Sequence, residues 1–74
     1  MEVKTDSADH RYVELNMESG FVRVTYVEQG WTSTPAIRIS IKDENGHLRQ
    51  GPEIPVENIG DVVKATILLL TANE

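Results

Sequence analysis

In three stretches between Tyr12 and Lys42 the apolar side chains recur at every second position; from Ile59 to Leu70 they recur at every third or fourth. That single change of period constrains the fold more than any other feature of the chain. A period of two alternates residues between the faces of a pleated strand, and a period near 3.6 gathers them on one face of a helix. A chain that switches once, and late, is expected to build an antiparallel sheet followed by one C-terminal helix packed on one face, an α+β arrangement that leaves the other face solvated.

The strands can be read individually. Val13, Leu15 and Met17 share one face of a first strand, with Tyr12, Glu14 and Asn16 on the other. Glu18-Ser19-Gly20 is a short turn. Phe21 to Val27 is rich in β-branched and aromatic residues; Val22, Val24 and Tyr26 lie opposite Phe21, Arg23, Thr25 and Val27. Glu28 to Pro35 is a loop marked by Gly30, Pro35 and small polar residues. In Ala36 to Lys42 the isoleucines 37, 39 and 41 oppose Arg38, Ser40 and Lys42. Asn45-Gly46 predicts a tight hairpin with both residues at positive φ, returning as a short strand over His47 to Gln50. Gly51-Pro52-Glu53 bends that strand, and Ile54 and Val56 continue it. Pro55 lacks an N–H, which puts this piece at a sheet edge.

Glu57 to Thr71 reads as the helix, with a stripe of Ile59, Val62, Val63, Thr66, Ile67 and Leu70. Asn58 is its expected N-cap, with Asp61 at the third helical position. Residues 1–10 are polar and unpatterned and read as a flexible tail; residues 11–74 form one domain of four strands, or five if the bend splits the last, and a helix.

Composition bounds the function. The chain has 74 residues and no cysteine, which excludes a disulfide scaffold and a thiolate zinc site. Its longest apolar run, Ile67 to Leu70, is far short of the roughly 20 residues of a membrane span. The N-terminus lacks a basic-then-apolar signal pattern, so a cytoplasmic address is expected. A domain this small has a marginal core, and without disulfide or metal the remaining staple is oligomerisation. Leu68 and Leu69 widen the apolar surface of the helix beyond its stripe, so a homodimer through Val63, Ile67, Leu68 and Leu69 is expected.

Catalytic chemistry finds no support. His10 and His47 are isolated, and Ser7, Ser19, Ser33 and Ser40 stand in no nucleophile motif. No glycine-rich phosphate loop is present. Asp43-Glu44-Asn45-Gly46 departs from a calcium loop in its glycine offset, and Ile54 occupies the closing acidic position. A non-enzyme without cofactor or metal is the expectation.

The charges are informative by placement. Seven cations face 12 acids, for a net charge of −5. Arg23, Arg38, Lys42 and Arg49 nevertheless fall inside predicted strands, while the acids gather at termini, turns and the helix start. An acidic chain can therefore carry a local basic sheet face that attracts phosphate with strong salt dependence. Trp31, Tyr12 and Tyr26 are the available stacking groups.

Phe21 to Leu70 also resembles the positive-cofactor-four family of single-stranded-DNA-binding coactivators. Phe21-Val22-Arg23-Val24 is similar to its opening strand, Ile37-Arg38-Ile39 to its I-x-I strand, and Asn45-Gly46 to its turn. Leu48-Arg49-Gln50-Gly51 is similar to its bend, Ile54-Pro55-Val56 to its short strand, and Ile59 to the bulky residue of its first helical turn. Pro52-Glu53 stands where the family carries basic residues and glycine, and Ser40 and Ile41 replace its arginine and aromatics. The resemblance implies a curved sheet dimerised through helices, with single-stranded DNA over the exposed face and Arg49 among its contacts.

The expected function is non-catalytic binding of single-stranded nucleic acid by a transcription or replication accessory protein. Arg23, Arg38, Lys42 and Arg49 would neutralise phosphates, and Tyr26 or Trp31 would stack on bases. The alternative is a small acidic, phage-like protein that inhibits a nucleic-acid-processing protein through Glu18, Glu28, Asp43 and Glu44. A small anionic metabolite bound across the dimer is a third possibility.

Overall fold

The computed structural model describes residues 1–73. Five antiparallel strands lie side by side in chain order: β1 (Lys4–Thr5), β2 (Arg11–Met17), β3 (Gly20–Val27), β4 (Ala36–Asp43) and β5 (Leu48–Pro55). One helix follows, α1 (Val56–Ala72). The α+β sheet-then-helix architecture is the one the periodicity demands. The fifth strand, however, comes from the N-terminal stretch expected to be a tail. Lys4 pairs with Tyr12 and Thr5 with Arg11, across a turn in which the Asp6 carboxylate accepts the backbone N–H groups of Ala8 (2.9 Å) and His10 (2.8 Å). The Gly51–Glu53 bend does not split β5.

Two hairpins set the faces. Met17 pairs with Gly20 around Glu18-Ser19. Gly20 has φ +137°, and a Cβ there would run into the Lys42 carbonyl oxygen, so glycine alone fits. Between β4 and β5 the turn differs from the expected one. Only Gly46 has positive φ (82°). Asp43 N–H donates to the His47 carbonyl, and Gly46 N–H to the Asp43 carbonyl. The loop thus holds three residues, 44–46, closed by an αL glycine. The odd count moves the register by one: Arg49 stands opposite Ile41 and Leu48 opposite Lys42. A bulge at Gly51-Pro52 then inserts one residue opposite Ile39, so that Ile54 again meets Ile37 and Glu53 meets Arg38. Gly51 is required there, because a Cβ would lie 2.5 Å from the Ile39 carbonyl oxygen. Pro52 and Pro55 sit in this edge strand, where a missing N–H costs least.

The helix begins one residue earlier than expected and is not capped by Asn58, which lies inside it. Pro55 occupies the N-cap with no side-chain cap, and Val56 N–H donates to the Pro35 carbonyl. Pro55 is preset to the extended φ of that position. Ile59, Val62, Val63, Thr66 and Ile67 face Val24, Ile37, Ile39 and Ile54 across a groove of about 450 Å³. The face bearing these isoleucines is the helix face, and its reverse is the far face.

The helix covers its face only thinly. No residue of α1 is buried. Leu68, Leu69 and Leu70 are each about two-thirds exposed, and Leu15, Met17 and Ile41 remain exposed on the sheet. The residues that are buried, Thr25, Val27, Ala36 and Ser40, all lie on the far face. The accessible surface is 5875 Å², about 1,300 Å² more than a compact monomer of this mass presents. The radius of gyration is 13.5 Å, against about 11 Å for a compact chain of this length.

Candidate nucleic-acid interface

Strand register decides which charged residues share a surface. Cross-strand partners point the same way. The far face therefore carries Lys4 from β1; Tyr12, Glu14 and Asn16 from β2; Phe21, Arg23 and Thr25 from β3; Arg38, Ser40 and Lys42 from β4; and Leu48, Gln50 and Glu53 from β5. Small residues sit between large ones: Thr25 lies between Tyr12 and Arg38, and Ser40 between Arg23 and Gln50. Thr25 and Ser40 are buried between these neighbours, and Ala36 is buried where Gly30 of the 28–35 loop packs against it.

Three of the four cations have a defined partner. Arg23 lies directly opposite Glu14 and donates from Nε (3.0 Å) and Nη2 (2.8 Å) to the same carboxylate oxygen. Its guanidinium also stacks 4.2 Å above the centre of the Tyr12 ring. Arg38 lies opposite Glu53, with Nε at 2.8 Å and Nη2 at 2.7 Å from Oε2. The second Glu53 oxygen accepts the Trp31 backbone N–H at 2.9 Å. The Glu53 side chain is only 3% exposed, and a carboxylate so buried persists because both oxygens are matched. It ties the 28–35 loop down onto the sheet, helped by Gly30, which packs against Ala36 where a Cβ would not fit. Lys42 has no carboxylate within 4 Å among the described residues; its Nζ lies 5.9 Å above the Phe21 ring.

Four cations against two carboxylates leave these strand positions at +2 on a chain of −5. The face offers two aromatic rings, each beneath a cation: Tyr12 with Arg23 and Phe21 with Lys42.

Of the six residues singled out in the sequence, Arg23, Arg38 and Lys42 are brought together here. Arg49 is not: the three-residue turn sets it opposite Ile41 on the helix face. Tyr26 also lies on the helix face, opposite Ile37 and 43% exposed. Trp31 is 76% exposed on the tethered loop, so it does not cover the core. Phe21 and Lys4 complete the far face, and neither was singled out. Phe21 shares its strand parity with Arg23, which was a readable signal; Lys4 depended on a strand the sequence does not betray.

The acids of the alternative reading divide between the two ends of the sheet. Asp43 spends its carboxylate on the Asn45 and His47 N–H groups. Glu18 and Glu44 lie at the Gly20–Asp43 end of the sheet, and Glu28 beyond the opposite, Val27–Ala36 end. Among the described residues no three acidic or histidine side chains converge on a metal-sized site, and no helix is long and apolar enough to cross a membrane. No family model, curated protein or solved structure matches the chain.

Proposed function

We propose that this protein binds single-stranded nucleic acid, without catalysis, over the far face of a dimeric sheet. The observation that carries the proposal is the pair of cation-topped rings, Tyr12–Arg23 and Phe21–Lys42, on a face with excess positive charge. Stacking on an aromatic ring is worth about 1–3 kcal/mol per base and tolerates any base, while the cations track phosphates. Lys42 and Phe21 carry the contact at one end and Tyr12 with Lys4 at the other. Such a module fits an accessory role in transcription or replication.

The dimer is the second part of the proposal. A specific interface buries about 800 Å² per partner, and the surplus surface of about 1,300 Å² over a compact monomer exceeds that. The partner's apolar helix would cover Val63, Ile67, Leu68 and Leu69, which are half to two-thirds exposed. This leaves both far faces open to a strand.

The test is anisotropy of a fluorescein-labelled oligo-dT of about 20 nucleotides, with sedimentation equilibrium run alongside. Binding that weakens with salt and falls in Lys42→Glu and Phe21→Ala is the expected result. No binding at tens of micromolar protein in low salt overturns the nucleic-acid proposal and turns attention to protein partners.

A further inference from the structure

The two arginines of the far face are already occupied by carboxylates of the same sheet. We infer that Glu14 and Glu53 are built-in competitors for the phosphates of a bound strand, so that the resting face presents two available cations and full engagement recruits four; this rests on the nucleic-acid reading above. Each carboxylate stands directly opposite its arginine in register, and each takes both an Nε and an Nη2 contact on a single oxygen. That is the edge of the guanidinium fork through which arginine grips phosphate. A phosphate approaching Arg23 or Arg38 finds the Nε/Nη2 edge taken, is left only the Nη1/Nη2 edge, and meets a negative charge beside it. Lys42, with a ring and no carboxylate, and Lys4, exposed at the sheet edge, meet it unopposed.

The consequence is weak, readily reversed binding with a shallow salt dependence. For single strands log K falls with log salt at about −0.7 per neutralised phosphate. Two available cations give a slope of about −1.4, and four give about −2.8. The two carboxylates also separate a stretched single strand, which can be held by Lys4, Lys42 and the rings, from a dense polyanion that would drive both arginines open.

The experiment titrates the same labelled oligo-dT with wild type, Glu14→Gln, Glu53→Gln and the double variant between low and moderate salt. Glutamine keeps the shape and an acceptor oxygen but removes the charge. Glu14→Gln is decisive, because Glu14 holds only Arg23, whereas Glu53 also tethers Trp31; circular dichroism melts verify that each variant folds. The expected result is at least about fivefold tighter binding for each single variant, with the slope steepening by about 0.7 per released arginine. Wild-type binding with variants unchanged in affinity and slope overturns the competition and leaves the nucleic-acid reading standing. Weaker binding by Glu14→Gln also overturns it, since the carboxylate would then be orienting the arginine for its ligand. Absence of binding by wild type and every variant overturns both.

Discussion

The two faces of this sheet are built by opposite rules. Among the described residues, the helix face is apolar, carries the helix and contains no buried residue. The far face is polar, is covered only at its Val27–Ala36 end by the 28–35 loop and contains all four buried residues of the described chain. On the far face, Thr25 and Ser40 sit between longer cross-strand neighbours and Ala36 packs against Gly30 of the tethered loop, so burial is finished within one chain. On the helix face, large aliphatics project into a gap that a single 17-residue helix does not fill. Burial by area is worth roughly 25 cal/mol per Å², so the unfilled face holds most of the stabilisation still to be gained. The difference teaches that an apolar pattern states what must be covered, while register states what the chain itself can cover.

The sharpest way to break the comparison is to put charge on the helix face. Leu68→Asp with Leu69→Asp is expected to abolish self-association and to lower stability at micromolar concentration by about 3 kcal/mol or more, since an unpaired carboxylate would be buried in the interface. Wild type should melt at a temperature that rises with protein concentration, and the variant should not. If the wild type is a monomer, the same substitutions will be neutral in a melt, and the face is covered by something else.

Next in size is the bulge that returns Glu53 to the far face opposite Arg38. Gly51→Ala places a methyl group 2.5 Å from the Ile39 carbonyl. The β4–β5 pairing must shift to admit it, at a cost of about 1–3 kcal/mol. Thermal unfolding reads the loss. Amide exchange of the β5 residues should accelerate ahead of those in β3.

A smaller effect on stability, but a clean one on binding, separates the cations of the two faces. Lys42→Glu should weaken oligo-dT at least tenfold while changing stability by less than about 0.5 kcal/mol, as befits a surface substitution. Arg49→Glu, on the opposite face, should leave binding within about twofold. Equal losses in both would mean that the strand wraps around the edge of β5.

The architecture was readable because strand and helix periods are properties of short windows. The alternation in Val22 to Tyr26 and Ile37 to Ile41 assigned every one of those side chains to its correct face. What escaped was anything that depends on counting residues between strands. Asn45-Gly46 signals a hairpin, but a two-residue and a three-residue loop place Arg49 on opposite faces, and the sequence around the turn suits both. The Gly51-Pro52 bulge is legible as a disturbance without revealing that it restores the parity lost at the turn. The ion pairs hang on the same kind of count: the two shifts cancel, so Arg38 meets Glu53 with both of them or with neither, and Glu14 meets Arg23 only because Glu18-Ser19 is a two-residue turn. β1 escaped because two paired residues leave no period at all.

The smallest effect tests how firmly that short strand holds Lys4 beside Tyr12 on the far face. The link is the Asp6 turn. Hydrogen bonding from the His10 backbone N–H, joined by the Ala8 N–H and the charges of His10 and Arg23, lowers the Asp6 carboxyl below its ordinary value of 3.8, against a desolvation that raises it. A carboxyl whose folded value is depressed contributes stability above its unfolded value and loses that contribution as pH falls through the folded one. The turn should therefore hold at neutral pH and loosen only below about pH 4. A carboxyl carbon titration by NMR should place the Asp6 midpoint under 3.8, and exchange of the Ala8 and His10 amides should quicken over the same interval. Asp6→Asn keeps an acceptor but no charge; it should remove the pH dependence and leave the pairing of Lys4 with Tyr12 in place. If the variant instead frees β1 at neutral pH, the charge itself holds the strand, and Lys4 should drop out of the salt dependence of binding, flattening its slope by about 0.7.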